Sequence, residues 1–268
     1  GPGCSDPYSS SINGDQGGLA PRSQCNAATG FYQFPPTNLP AAPPTIGRRM
    51  QVLQADLDLF AAAVAPGARL GTPQQVHGAD VTDVRSAAGA EADIVIAEPR
   101  EDAQQPIWMA GVRTADCVPI LLACPTSGRV AAIHAGWRGL VADAPAAAIA
   151  EMRVRGSRTE DLHVAIGPAI GPDRFEIGSE VATVLQECGL DAAVRDREPR
   201  PHADLHHAAR LRLLAAGVRE SFVDGVGECT ASSSRFFSHR RDQGNTGRHL
   251  SVIIPGSPTG FRDDDVGA

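Results

Sequence analysis

The chain has 268 residues, of which 42% are apolar, 21% charged and only 4% aromatic, a globular composition that fills one large domain or two small ones. A net charge of −7 with no basic stripe argues against nucleic acid as the main partner, and apolar runs as short as VPILLAC are too short to span a bilayer. All 24 basic residues are arginine, which excludes a Schiff-base lysine, a pyridoxal-phosphate anchor and a P-loop lysine.

Residues 1–45 are rich in Gly, Pro and Ser and read as a diverged N-terminal segment; FPPTNLPAAPP (34–44) is an extended connector. RRMQVLQADLDLFAAAVAPG reads as a helix, with Met50, Leu53, Leu57, Phe60 and Val64 on one face and Pro66-Gly67 ending it. DIVIAE, IWMAGV, VPILLA, RVAAIH, LHVAIG and LSVIIP read as strands. VADAPAAAIAEM reads as a helix capped by Asp143 with Pro145 in its first turn. SEVATVLQECG reads as a second, capped by Ser179 and stopped by Gly189. HADLHHAARLRLLAAGV reads as a third, with Leu205, Ala209 and Leu213 facing inward. Residues 257–268 read as a solvated tail. Strands and helices interleave, so the expected class is α/β: a single mixed-sheet domain over 46–256 with flanking helices. Six scattered cysteines without a CxxC pair suit reduced thiols in a cytoplasm.

CVPILLACPTSGRVAAIHAGW (117–137) carries the first sign of chemistry. Pro125-Thr126-Ser127-Gly128 divides two apolar runs and predicts a hairpin. A turn centred between Thr126 and Ser127 sets Cys117 opposite Gly136 and His134 opposite Pro119. Cys117 and His134 are then diagonal neighbours on one face. A buried apolar cysteine beside a hydrogen-bonded histidine fits that pattern as well as a metal site does. His77, in QQVHGADV, is a third donor on a strand-like piece. Three protein ligands leave a catalytic zinc one open position and lower the pKa of its water to about 7. The same His₂Cys set with an axial Met, for which Met109 is the candidate, would suit blue copper. His202, His206 and His207 read as a solvated helix face. FFSHRRDQGNTGRH gathers Arg240, Arg241 and Arg248 around a Gly-rich turn, either a loop of surface arginines or an anion site. Glu176, in the stiff IGPAIGPDRFEIG loop, is a candidate acid or base.

In order, QVHGADV, TADCVPILL, HAGWRG, IGPAIGPDRFEIG, the Cys-Thr of GECT and FFSHRRDQGNTGR resemble the laccase-domain family over residues 70–255. That family was once named for multicopper polyphenol oxidation and is associated with zinc-dependent purine nucleoside phosphorolysis and adenosine deamination; it includes peptidoglycan editing factors. The resemblance implies one zinc on His77, Cys117 and His134, and nucleoside and phosphate as substrates. On that reading Gln75, Arg138, Arg240, Arg241 and Arg248 are the candidate substrate- or phosphate-binding residues, and Asp116 and Glu176 the candidate catalytic carboxylates. One departure stands out: family members carry Thr-Arg-x-Gly-Gly near the N-terminus, where this chain has Asp15. Copper-dependent phenol oxidation, hydrolytic editing of muramyl-peptide precursors and a non-catalytic binding role are the competing readings. A monomer or a homodimer is expected.

Overall fold

The computed structural model describes residues 29–33, 65 and 67–256. The Pro-rich connector, the residues named on the face of the helix expected over 48–67 and the tail after 256 lie outside them. The class is α/β, with mixed sheets and flanking helices. All six expected strands form: β4 (Ile94–Ala97), β5 (Trp108–Thr114), β6 (Val118–Ala123), β7 (Val130–Ala135), β8 (His163–Ile166) and β12 (His249–Ile253). Short strands join them: β1 (Thr29–Gln33), β2 (Arg69–Gly71), β3 (Val81–Asp83), β9 (Val194–Arg195), β10 (His202–Ala203) and β11 (Val223–Gly225). One mixed sheet runs β1-β12-β5-β2, a second runs β11-β8-β6-β7-β4-β3, and β9 and β10 form a ribbon.

Why the central strands read as unbroken apolar runs follows from where they sit. Alternate residues of a strand point to opposite faces. Ile94, Ile96, Ile120, Leu122 and Ile133 face one core, shared with the helices. Val95, Ala97, Leu121, Val130 and Ala132 face a second core, closed by Ala110, Val112 and Ile253 of the other sheet. A sheet covered on both faces has no polar side to alternate with.

The helices α1 (Trp137–Val141), α2 (Ala144–Val154), α3 (Ser179–Glu187) and α4 (Leu205–Ala215) contribute to the first core. In α2, Ala144, Ala148, Ile149 and Met152 are buried at helical spacing, and the Asp143 carboxylate caps by accepting from the Ala146 N–H at 3.3 Å. Two helix starts differ from expectation. Gly178 is the cap of α3, without a side-chain bond, and Ser179 is already helical. Asp204 caps α4, so His202 falls on β10 and does not share a helix face with His206. His206 is also not solvated: its ring bonds the Gly167 carbonyl at 3.1 Å. Among the described residues no helix is long and apolar enough to cross a membrane.

Candidate metal centre

The β6–β7 register places Val118 opposite Ala135 and Pro119 opposite His134, as the turn composition predicted. Cys117 lies one residue before β6 and His134 one before the end of β7, so both project from the same end of the hairpin. His77 comes from elsewhere. It lies not on a strand but in the bend between β2 and β3, in a left-handed conformation with φ 64° that is uncommon outside glycine. The donor atoms of His77, Cys117 and His134 all lie within 4.8 Å of one another, His77 exposed, Cys117 half-buried and His134 buried. The two imidazoles meet edge to face at 4.8 Å.

Asp93 makes this convergence specific. It is fully buried and stands just before β4, where pairing of Ile94 with Ile133 brings it beside His134. One carboxylate oxygen accepts from His134 Nδ1 at 2.6 Å and from the His77 N–H at 3.0 Å; the other accepts from the N–H groups of Gly78 at 2.6 Å and Val76 at 3.2 Å. An ionised carboxylate only accepts, so His134 Nδ1 carries the proton and Nε2 is left with a lone pair. Asp93 thus fixes the tautomer of one candidate ligand and the backbone bend that presents the other, an arrangement common to metal-binding histidines. Nothing in the local sequence announced it. The available signal was a carboxylate heading an otherwise apolar strand, which is rarely buried without a partner.

The electrostatics agree with a cation site. Burial opposes ionisation of the Cys117 thiol, but hydrogen bonds and charge from His134 and then His77 outweigh it and bring the thiol down to about 6. Burial likewise disfavours a charged His134, yet Asp93 and Cys117 raise it to about 9. Burial works against ionised Asp93 as well, but its bonds to His134 and Gly78 win and hold it below the usual carboxylate range. A carboxylate and a thiolate at such short range draw positive charge, either a proton on His134 or a metal ion beside neutral imidazole. Gly136 keeps the cradle open: a Cβ there would lie 3.0 Å from Cys117 Sγ and 3.4 Å from the His77 ring. Thiolate and imidazole are donor types that a zinc ion takes. Among the described residues this is one group of three such ligands. Met109 is a fully buried β5 residue paired with Leu70 and takes no part in it.

Other expected site residues are committed to holding loops. Asp116, at φ 88°, accepts from Thr230 Oγ1 at 2.6 Å, Ser238 Oγ at 3.1 Å and the Arg240 N–H at 2.7 Å. It ties the loops at 230 and 238–240 to the residue before the cysteine. Thr230 and Ser238, both fully buried, went unnoticed as its partners because they are more than a hundred residues away in the chain. Arg241 is consumed by its own loop, donating to the carbonyls of Thr230, Ser233 and Phe236 and pairing with Asp242. Arg240 donates to the Glu176 carbonyl at 2.9 Å and lies over the Phe175 ring. Glu176 is exposed and pairs with Arg200 at 3.4 Å. Arg138 is exposed and stacks on Trp137 at 4.3 Å. Gln75 clasps the Arg113 backbone on both sides, at 2.7 and 2.8 Å.

Comparison with known proteins agrees with this architecture. The purine nucleoside phosphorylase of Deinococcus radiodurans is 37% identical over 179 residues, 67% of either chain. A protein named adenosine deaminase RL5, from an unknown prokaryotic organism, is 39% identical over 148 residues, 53% of this chain and 56% of that one. The crystal structure of YlmD from Geobacillus stearothermophilus superposes with a TM-score of 0.71 at 29% identity, covering 87% of this chain and 93% of that one. A family model described as multi-copper polyphenol oxidoreductase laccase matches residues 44–255, and the chain belongs to that family.

Proposed function

We propose that the chain is a zinc-dependent purine nucleoside phosphorylase, converting adenosine, inosine or guanosine and phosphate into base and ribose 1-phosphate, with adenosine deamination as a second activity. The observation that carries this reading is the convergence of His77, Cys117 and His134 under the control of one buried carboxylate. The names of the relatives supply the substrate class. His77, Cys117 and His134 hold the metal, and three protein ligands that leave a fourth position open are the arrangement of a catalytic zinc. When bound, the zinc supplies Lewis-acid polarisation of a substrate oxygen. Asp93 keeps the proton on His134 Nδ1, so that Nε2 faces the site. Asp116 orders the loop of Arg240 and Arg241 by accepting from Thr230, Ser238 and the Arg240 N–H. Glu176, exposed on the adjoining loop, is the carboxylate assigned to proton transfer.

The adenosine deaminase name of one relative favours the second activity. Product analysis separates the two. Adenosine is incubated with zinc-loaded protein, with and without phosphate. Adenine formed only with phosphate is the expected result, and inosine in both samples marks deamination. No product in either sample overturns the purine reading. Oxygen uptake with a phenol by copper-loaded protein would return the assignment to polyphenol oxidation.

A further inference from the structure

We propose that Gln75 is a positioning residue for the metal centre: its amide fixes the segment that carries His77 against the strand that leads to Cys117. The inference rests on the metal-ion part of the proposed function and is independent of which nucleoside reaction follows.

The chain between β2 and β3 changes partners as it runs. Arg69, Leu70 and Gly71 pair with Trp108, Met109 and Ala110 of β5. Three residues later the main chain has turned toward β4. The Gln74 N–H donates to the Ala90 carbonyl at 2.8 Å, and the Gln74 carbonyl accepts from the Ala92 N–H at 3.1 Å. The next N–H groups, those of Val76, His77 and Gly78, end on the Asp93 carboxylate. Gln75 reaches back the other way. Its Nε2 donates to the Arg113 carbonyl at 2.7 Å, and its Oε1 accepts from the Arg113 N–H at 2.8 Å. A primary amide presents a donor and an acceptor side by side, as the peptide groups of a neighbouring strand do. The Gln75 side chain therefore continues the β2 edge of β5 after the main chain has left it. The Arg113 guanidinium adds a third bond, to the Pro73 carbonyl at 3.2 Å.

Each pair of candidate ligands then has its own tie. The β6–β7 hairpin sets Cys117 against His134. Asp93 joins His134 to the bend at His77. Gln75, two residues before His77, joins that bend to Arg113, four residues before Cys117. His77 needs such support: a residue other than glycine at φ 64° holds that conformation where its surroundings over-determine it. The same bonds take Gln75 out of the set expected to meet substrate. Arg138 and Arg248 are exposed, whereas both polar atoms of the half-buried Gln75 amide are engaged by the Arg113 backbone.

Zinc affinity, measured by competition with a chromophoric chelator, and the absorption spectrum of the cobalt(II) form test the assignment in the full chain. Gln75→Met removes both bonds at nearly constant side-chain length. It is expected to weaken zinc about tenfold, as loss of an outer partner of a metal ligand does, and to change the shape of the cobalt(II) bands. Gln75→Glu keeps the acceptor for the Arg113 N–H and loses the donor, so it should fall between wild type and Gln75→Met. A clasp that serves only the fold would lower the urea midpoint of Gln75→Met and leave its zinc affinity and spectrum as in wild type, and that result overturns the proposal. Wild-type zinc affinity with a raised KM for nucleoside also overturns it and returns Gln75 to the substrate. If Gln75→Met fails to fold, Gln75→Glu carries the test under the same outcomes. No metal bound by wild type would overturn the metal centre and this proposal with it. Zinc weakened by the variants, in a protein that turns over no nucleoside, would keep this assignment and remove only the phosphorolysis reading.

Discussion

Two cysteines bound the same strand and meet different fates. Cys117 precedes β6 and Cys124 follows it, and both begin or end an apolar run. At the Cys117 end, two imidazoles and a buried carboxylate converge. At the Cys124 end, the buried thiol meets the Thr126 hydroxyl at 3.3 Å, Thr126 donates to Asp161, and Ser127 pairs with Ser157. Hydroxyls are neutral, weak ligands, so they cannot hold a transition metal with one thiol. The contrast teaches that a cysteine in an apolar strand acquires chemistry from what the neighbouring strands bring to it. β4 and the bend at His77 bring Asp93 and a second imidazole to one end only.

The largest expected effect breaks the comparison at its active end. His77→Ala, Cys117→Ala and His134→Ala should each lower turnover by at least a thousandfold, whereas Cys124→Ala should keep it. The Cys124 change costs about 1 kcal/mol of stability through a small cavity, read from urea denaturation. Asp93→Asn comes next. All four groups facing that carboxylate are donors, so an amide would turn its NH₂ toward N–H groups. Zinc affinity should fall roughly 10- to 100-fold, measured by competition with a chromophoric chelator, and wild-type affinity would remove Asp93 from the account.

Acid offers a subtler probe. His249 is buried and accepts from the Phe237 N–H through Nε2 at 2.9 Å. Burial holds it at about 4, below its usual 6.5. The unfolded chain binds a proton there that the folded chain refuses, so stability is full above pH 6.5 and is lost as pH falls toward 4. The slope is worth on the order of 3 kcal/mol and should flatten in His249→Gln, measured by denaturation at pH 7 and pH 4.5. The smallest change sharpens the geometry: Gly136→Ala should leave the fold intact and weaken zinc binding several-fold, because its Cβ crowds Cys117 and His77.

Much of this was legible along the chain where the cause is local. Pro125 to Gly128 fixed the hairpin and its register, and Asp143 with Pro145 fixed the start of α2. Apolar runs located the six main strands but not which were neighbours. That gap hid Asp93, whose role exists only because β4 pairs with β7. It also hid the Gln75–Arg113 clasp and the bonds from Thr230 and Ser238 to Asp116. His77 was legible as a candidate ligand from its place in QQVHGADV and from the resemblance, while its left-handed bend was not, because three N–H bonds to a distant carboxylate hold it. The strand at His202 displaced a helical reading because Asp204 outcompeted it as the cap.

The most direct test is a count of zinc per chain, by elemental analysis after dialysis, in wild type, Cys117→Ala and Cys124→Ala. The account predicts one equivalent in wild type and in Cys124→Ala, and none in Cys117→Ala. A full equivalent retained by Cys117→Ala would contradict it and place any bound metal elsewhere in the molecule.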